Sequence, residues 1–281
     1  MPPASAPIEV MLIILAVVTC ASILEAAGGL KFMLQVAEKI LRKNPKQITF
    51  LGPIATYTLT LMLGTGHAVY SIMPIIGDIA LKNKIRPERP MAAASVASQL
   101  ALTASPISAV VTVYLGKGLL DLFHQQGGES LTLINILSVT LPATFLGLMA
   151  MCFYSLRRGK ELEADPEYQR RLQDPIYRDQ ILNSTKTTLN DFIPQSSKNA
   201  VYIFLSSIVL IVVLALYEDI RTFEVLKEGV TTQMVVPMGV IIQMVMLCFG
   251  GIILTTCKTS VKLVPEGVVF KSGMVACVAI F

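Results

Sequence analysis

The chain has 281 residues, 53% of them hydrophobic and only 15% charged, with a mean hydropathy of +0.65, whereas soluble domains carry roughly 25% charged residues. This composition excludes an ordinary soluble globule and points to a membrane protein. The net charge of +4 does not mark a nucleic-acid surface, because the basic residues sit at the ends of apolar runs, where they act as topology signals.

Apolar runs recur at Ile8–Leu24, Ile48–Leu63, Ala68–Leu81, Met91–Leu115, Leu131–Leu156, Ala200–Tyr217 and Gln233–Cys257. Several approach the ~20 residues a helix needs to cross hydrocarbon. The expected fold is therefore all-α, a polytopic transmembrane helical bundle, since a β-barrel would show shorter alternating segments. After the first run, "KFMLQVAEKILRKNPK" (Lys31–Lys46) mixes Phe32, Leu34, Val36, Ile40 and Leu41 with Lys31, Lys39, Arg42, Lys43 and Lys46. It predicts an amphipathic helix on the cytoplasmic surface. The loop "KNKIRPERP" (Lys82–Pro90) is also basic and is placed in the cytoplasm.

About 35 residues, Gln47–Leu81, separate these two basic segments; as one straight helix they would extend ~52 Å against a hydrocarbon core of ~30 Å. Folded at "GTGH" (Gly64, Thr65, Gly66, His67), they give two arms of ~22 Å. A re-entrant hairpin over 48–81 is expected, with its tip at those four residues. Met91–Leu115 then runs outward as a broken helix, because Ser105-Pro106 removes a donor and disfavours helix just before it. The unwound stretch is predicted at Thr103–Ser108. The loop Gly116–Ser130, with Lys117, Asp121 and Glu129, is placed outside, and Leu131–Leu156 returns inward to Arg157, Arg158 and Lys160.

The polar stretch Arg157–Lys198 reads as a cytoplasmic linker between two halves. Ala200–Tyr217 goes out, "EDIRTFEVLKEG" (Glu218–Gly229) forms an outer loop, and Gln233–Cys257 comes back to Lys258 and Lys262. The expected organisation is a first transmembrane half over 1–156, a linker over 157–198, and the start of a second half over 199–281. The opening "MPPASAPIEV" has no signal-peptide character, and the closing "FKSGMVACVAIF" stops partway through what reads as another membrane segment. The sequence is accordingly read as a fragment lacking both ends.

No GxSxG, HExxH, Walker loop or pair of carboxylates inside a span is present, so no enzyme activity and no cofactor is expected. The only histidines are His67 and His124, and the five cysteines lie scattered in apolar segments as packing residues, so no metal site is expected either. Transport is the occupation left. Broken backbone inside hydrocarbon is tolerated only where it is buried in protein or lines a cavity. A half-helix starting at a break offers unpaired N–H groups and the positive end of its dipole to an anion.

The candidate substrate-binding residues are thus Gly64, Thr65, Gly66 and His67 at the tip, with Thr103, Ser105, Pro106 and Ser108 at the break. The small residues Ala92, Ala93, Ala94, Ser95, Ala97 and Ser98 would let a neighbouring helix come close. From spacing alone the glycine pair is either a packing and kink site or a ligand site, and His67 is either a hydrogen-bonded structural residue or a proton-sensitive group. Glu25 and Asp78 lie near segment ends and read as solvated interfacial carboxylates. Gln99 stands close to the proline break.

The stretches "GTGH", "IRPERPMA" (Ile85–Ala92) and "ASPIS" (Ala104–Ser108) resemble the anaerobic four-carbon dicarboxylate uptake and exchange (Dcu) family of bacterial inner-membrane transporters, and the resemblance runs over essentially the whole chain. It implies a multi-pass inner-membrane protein that exchanges external fumarate, malate or aspartate for internal succinate. It also implies an ion-transporter-like architecture of inverted repeats, only part of which this sequence holds, and a homodimer. A sensor-kinase partner is the further association considered. Two other readings stay open: a channel, and a sensor or partner subunit using Arg157–Lys198 as its contact surface.

Overall fold

The computed structural model describes residues 8–115, 132–176, 178, 187–227 and 230–279, and is built almost entirely of helices. The outer loop expected over Gly116–Ser130, with His124, lies outside the described residues, as does the middle of the linker.

Helix α1 (Ile8–Ala26) is apolar on all sides, and α2 (Gly29–Lys43) follows it at a bend of 73°. Gly28 makes the bend possible: its φ is +78°, and a Cβ there would lie 2.7 Å from Ser197 Oγ. The Ser197 hydroxyl in turn donates to the Ala27 carbonyl at 2.7 Å, pinning the corner to the first turn of a later helix. On α2, Met33, Leu34, Ala37 and Leu41 point inward while Lys39 and Lys43 face out, the amphipathic pattern expected of a helix lying on the membrane surface. Val36 and Ile40 are exposed, on the apolar flank such a helix turns toward lipid.

The hairpin forms as expected from α3 (Ile48–Leu63) and α4 (Ala68–Lys82). Sixteen and fifteen residues make arms of ~24 and ~22 Å, too short to cross ~30 Å of hydrocarbon singly. Helix α5 (Glu88–Ala104) breaks at Ser105–Ser108 and resumes as α6 (Ala109–Tyr114). Its inward face is made of Ala93, Ala94, Ala97, Ser98, Ala101 and Ala104, all at most 1% exposed, so that α3 and α4 approach closely. Ala92 and Ser95, expected on that face, are exposed instead.

Helix α7 (Leu133–Leu156) closes the other side of this layer, packing Leu148 and Cys152 against Tyr57, Ala97 and Ala101, with Tyr57 Oη and Thr144 Oγ1 2.8 Å apart. The linker carries a short helix α8 (Pro166–Arg171). The last spans are α9 (Gln195–Leu216) and α10 (Met238–Thr256), which pack with α1, α2 and α4 around Leu24, Ile72, Ile76, Phe204 and Ile242; α11 (Val268–Ala279) packs on α1. Among the described residues, four helical stretches are long and apolar enough to cross a membrane, five with the bent α1–α2 pair.

Two expectations need correction. The outer segment is not a plain loop: Thr222–Lys227 (β1) and Val230–Val235 (β2) pair antiparallel, from Thr222 opposite Val235 to Lys227 opposite Val230. The inbound span therefore starts at Met238 rather than Gln233. Asp78 is not a solvated carboxylate either. It is 8% exposed and bridges Arg42 Nη2 at 3.1 Å and Lys82 Nζ at 3.0 Å. Glu25 accepts the Val269 N–H at 3.1 Å, where its charge meets the positive end of α11.

Candidate functional site at the hairpin tip and helix break

The two interruptions meet. Gly64 ends α3 in the left-handed conformation, φ +66°, and its N–H returns to the Thr60 carbonyl at 2.9 Å. A Cβ on Gly64 would fall 2.8 Å from Ile107 Cγ1 and 3.0 Å from Ile107 O, so the tip is pressed onto the unwound stretch of the broken helix. Gly66 faces α5, its missing Cβ 3.4 Å from Ser98 Oγ and 3.6 Å from Gln99 Nε2.

At this junction α3 and α5 end while α4 and α6 begin. No side chain caps the N-terminus of α4, whose first amides turn back weakly, Val69 to Gly66 O at 3.3 Å and Tyr70 to His67 O at 3.2 Å. Two helix N-termini therefore bring positive partial charge to the junction, and two C-termini bring negative. No Asp, Glu, Lys or Arg lies within Gly64–His67 or Ser105–Ser108.

The eight candidate residues divide by what their polar atoms do. The Thr103 hydroxyl donates to Leu100 O at 2.8 Å and is used locally. Ser108 caps α6, accepting from Val111 N at 3.2 Å and donating back across the break to Leu102 O. Pro106 is buried, and supplies the break rather than a contact. Thr65 and Ser105 keep buried hydroxyls with no partner among the described residues, and Thr60 Oγ1, one turn before the tip, is a third such atom. His67 is half-buried, its ring 6.3 Å from that of the exposed Tyr70.

Thr60, Ser98 and Gln99, beside the tip, therefore join the candidates. The i, i+4 spacing of Thr56, Thr60 and Gly64 along one face of α3 is the signal that could have pointed to Thr60.

The root of the hairpin is held differently. Glu38, fully buried on α2, accepts Arg42 Nε at 2.7 Å, and both the N–H and the hydroxyl of Thr188 at 2.7 Å each. Burial raises the Glu38 carboxyl, but the hydrogen bonds from Thr187, Thr188 and Arg42 outweigh it and hold the group below the usual range. Arg42 passes the connection to Asp78 on α4. The linker, the surface helix and the base of the hairpin are thus one ionic unit.

A family model described as "Anaerobic c4-dicarboxylate membrane transporter" matches residues 1–281. The chain belongs to this DcuA/DcuB family. Among its curated relatives, the anaerobic C4-dicarboxylate transporter DcuB of Escherichia coli O157:H7 is 40% identical over 282 residues, 99% of this chain and 60% of that protein. The C4-dicarboxylate transporters DcuA of Helicobacter pylori J99 and of Wolinella succinogenes are 35% and 34% identical, each over 99% of this chain, and over 58% and 60% of their own lengths. The chain thus spans about three fifths of the length of the curated relatives it matches. No solved structure matches this Dcu chain.

Proposed function

We propose that the protein is a secondary transporter of four-carbon dicarboxylates, exchanging fumarate, malate or aspartate for succinate across the bacterial inner membrane. Membership of the Dcu family supports the substrate class, and the names of the relatives say the same of those proteins. The observation that carries a mechanism is the contact of Gly64 with Ile107, which joins a hairpin tip to a helix break.

One carboxylate of the substrate is held at this junction by the N-terminus of α4 and by the hydroxyls of Thr60, Thr65 and Ser105, with Gln99 and His67 at its edge. Such donors hold a carboxylate without a buried Lys or Arg, whose cost at the bilayer centre is at least ~2.5 kcal/mol. The second carboxylate is held by an inverted repeat of the same hairpin and broken helix, and the paired units move together between leaflets. Exchange of two anions of equal charge moves no net charge. Residues 1–156 form the first half, 157–198 the linker and 199–281 the start of the second half, and the transporter works as a homodimer. A sensor-kinase partner, where present, contacts the linker.

The test is counterflow by the native polypeptide in liposomes loaded with unlabelled succinate, following entry of labelled fumarate. Entry that requires internal succinate supports the exchanger. Equal entry with and without it replaces the reading by a uniporter or channel, and absence of entry replaces it by the sensor reading.

A further inference from the structure

A cavity of about 350 Å³ lies between the start of α5 and the end of α7, lined by Arg86, Arg89 and Ala92 on one side and Ser155 and Arg158 on the other. The frame is rigid. Arg89 is 7% exposed and spreads its guanidinium over three oxygens, with Nε on Arg158 O at 2.7 Å, Nη2 on Gly159 O at 2.8 Å and Nη1 on Glu161 Oε1 at 2.7 Å. Arg86 is tied to Glu88, which also lines the cavity, and to Asp165 at 3.0 Å. Gly159 adopts φ +75° beneath the Arg86 stem, where a Cβ would lie 3.3 Å from Arg86 Cδ, so the turn closes tightly on the cavity.

Two groups in this frame have nothing to do. Arg158 is exposed, and its guanidinium makes no hydrogen bond or ion pair among the described residues. Ser155 is 7% exposed, and its hydroxyl likewise has no partner there. A free guanidinium and an unpaired hydroxyl, beside two fixed guanidiniums, are the donor set of an oxyanion site.

The place decides which oxyanion. The cavity sits at the cytoplasmic end of α7, whose last turns expose Phe153 at 62%, Tyr154 at 68% and Leu156 at 42%. An acyl chain lying on those side chains brings its phosphate to the level of Arg158. We propose that this cavity binds the headgroup phosphate of an anionic phospholipid of the cytoplasmic leaflet, with Arg158 and Ser155 as direct ligands and with Arg86 and Arg89, each held by its carboxylates, as the fixed frame that shapes the site. The proposal is independent of what the transporter carries.

The test is native mass spectrometry of the native polypeptide released from detergent with phosphatidylglycerol, alone and with inorganic phosphate as competitor. Wild type is expected to retain phosphatidylglycerol, and the double variant Arg86→Gln with Arg158→Gln to retain it about 10- to 30-fold less tightly. Arg157→Gln, which removes an equal charge outside the cavity, should retain it as wild type does. Ala92→Glu places a carboxylate on the rim without touching the arginine contacts, and should also lose the lipid if the double variant proves poorly folded. Retention of inorganic phosphate by wild type, lost in Ala92→Glu, with no retention of phosphatidylglycerol by either, would overturn the lipid and name a soluble anion as the occupant. Equal retention by wild type, Ala92→Glu and a folded double variant overturns the proposal.

Discussion

The sharpest consequence of the tip geometry concerns two glycines separated by one residue. In Gly64→Ala the methyl group enters a left-handed backbone position, φ +66°, which costs an L-residue about 1–2 kcal/mol. It also arrives 2.8 Å from Ile107 Cγ1 and 3.0 Å from Ile107 O, where the second neighbour is backbone that cannot rotate away. Overpacking of that kind costs about 1–3 kcal/mol, so the expected total is about 2–5 kcal/mol. In Gly66→Ala the backbone carries no such restriction, and the new atom is 3.4 Å from Ser98 Oγ and 3.6 Å from the mobile end of Gln99. Its cost should stay below about 1 kcal/mol.

The assay is thermal unfolding of the purified protein in detergent, paired with counterflow in liposomes. Gly64→Ala should lower the unfolding temperature and abolish exchange, whereas Gly66→Ala should leave stability near wild type and perturb substrate affinity alone. Adding Ile107→Ala to Gly64→Ala should recover the side-chain part of the loss and leave the backbone part, an interaction that a double-mutant cycle reads directly. Equal tolerance of alanine at 64 and 66, or additivity of the Gly64 and Ile107 changes, would refute the contact between tip and break.

Three further outcomes are expected of the tip, the linker and the α5 root. Thr65→Val and Ser105→Ala each remove a buried hydroxyl that has no partner among the described residues; unfolding should be unchanged or slightly delayed, while the half-saturating dicarboxylate concentration rises about 10- to 100-fold, the value of a lost hydrogen bond to a carboxylate. The depressed Glu38 carboxyl contributes stability that is complete above the unfolded glutamate value of about 4.3 and lost as pH falls through the lower folded value. Protection of the Thr188–Asp191 amides, measured against their intrinsic exchange rates at each pH, should therefore stay high at neutral pH and fall only below about pH 4, and Glu38→Gln should show low protection already at pH 7. Arg89→Lys keeps the charge but cannot reach the carbonyls of Arg158 and Gly159 together with Glu161; a loss of about 2 kcal/mol in unfolding is expected.

Local signals carried the hairpin and the break. Glycines at 64 and 66, lysines and arginines at both roots, and Ser105-Pro106 each act within a few residues of where they stand, so chain order alone revealed them. What stayed hidden depends on partners far along the chain. Asp78 is buried because Arg42, 36 residues earlier, lies across from it, and Glu38 because the linker folds back from Thr188, 150 residues later. The outer hairpin was concealed for another reason. Thr222–Lys227 and Val230–Val235 alternate with strand-like residues, but they are short and set among charges that read as loop.

The eight candidate residues divide by their contacts for a related reason: a polar residue at a helix break has two jobs open to it. Ser108 and Thr103 do the first, satisfying backbone that the break exposes, Ser108 by bridging Leu102 O and Val111 N. With those repairs made, and Gly64 N–H returned to Thr60 O, fold alone gives no reason to keep hydroxyls at 60, 65 and 105. Each buried and unpaired hydroxyl costs about 1–3 kcal/mol, and an apolar residue of the same shape would avoid that cost. Three such atoms at one junction, where two helix N-termini also begin, represent several kcal/mol of unmet hydrogen bonding held in place by packing. A carboxylate oxygen reaching any of these buried hydroxyls would supply the partner each lacks among the described residues, and a hydrogen bond to an anion made in a buried setting is worth more than one made in water.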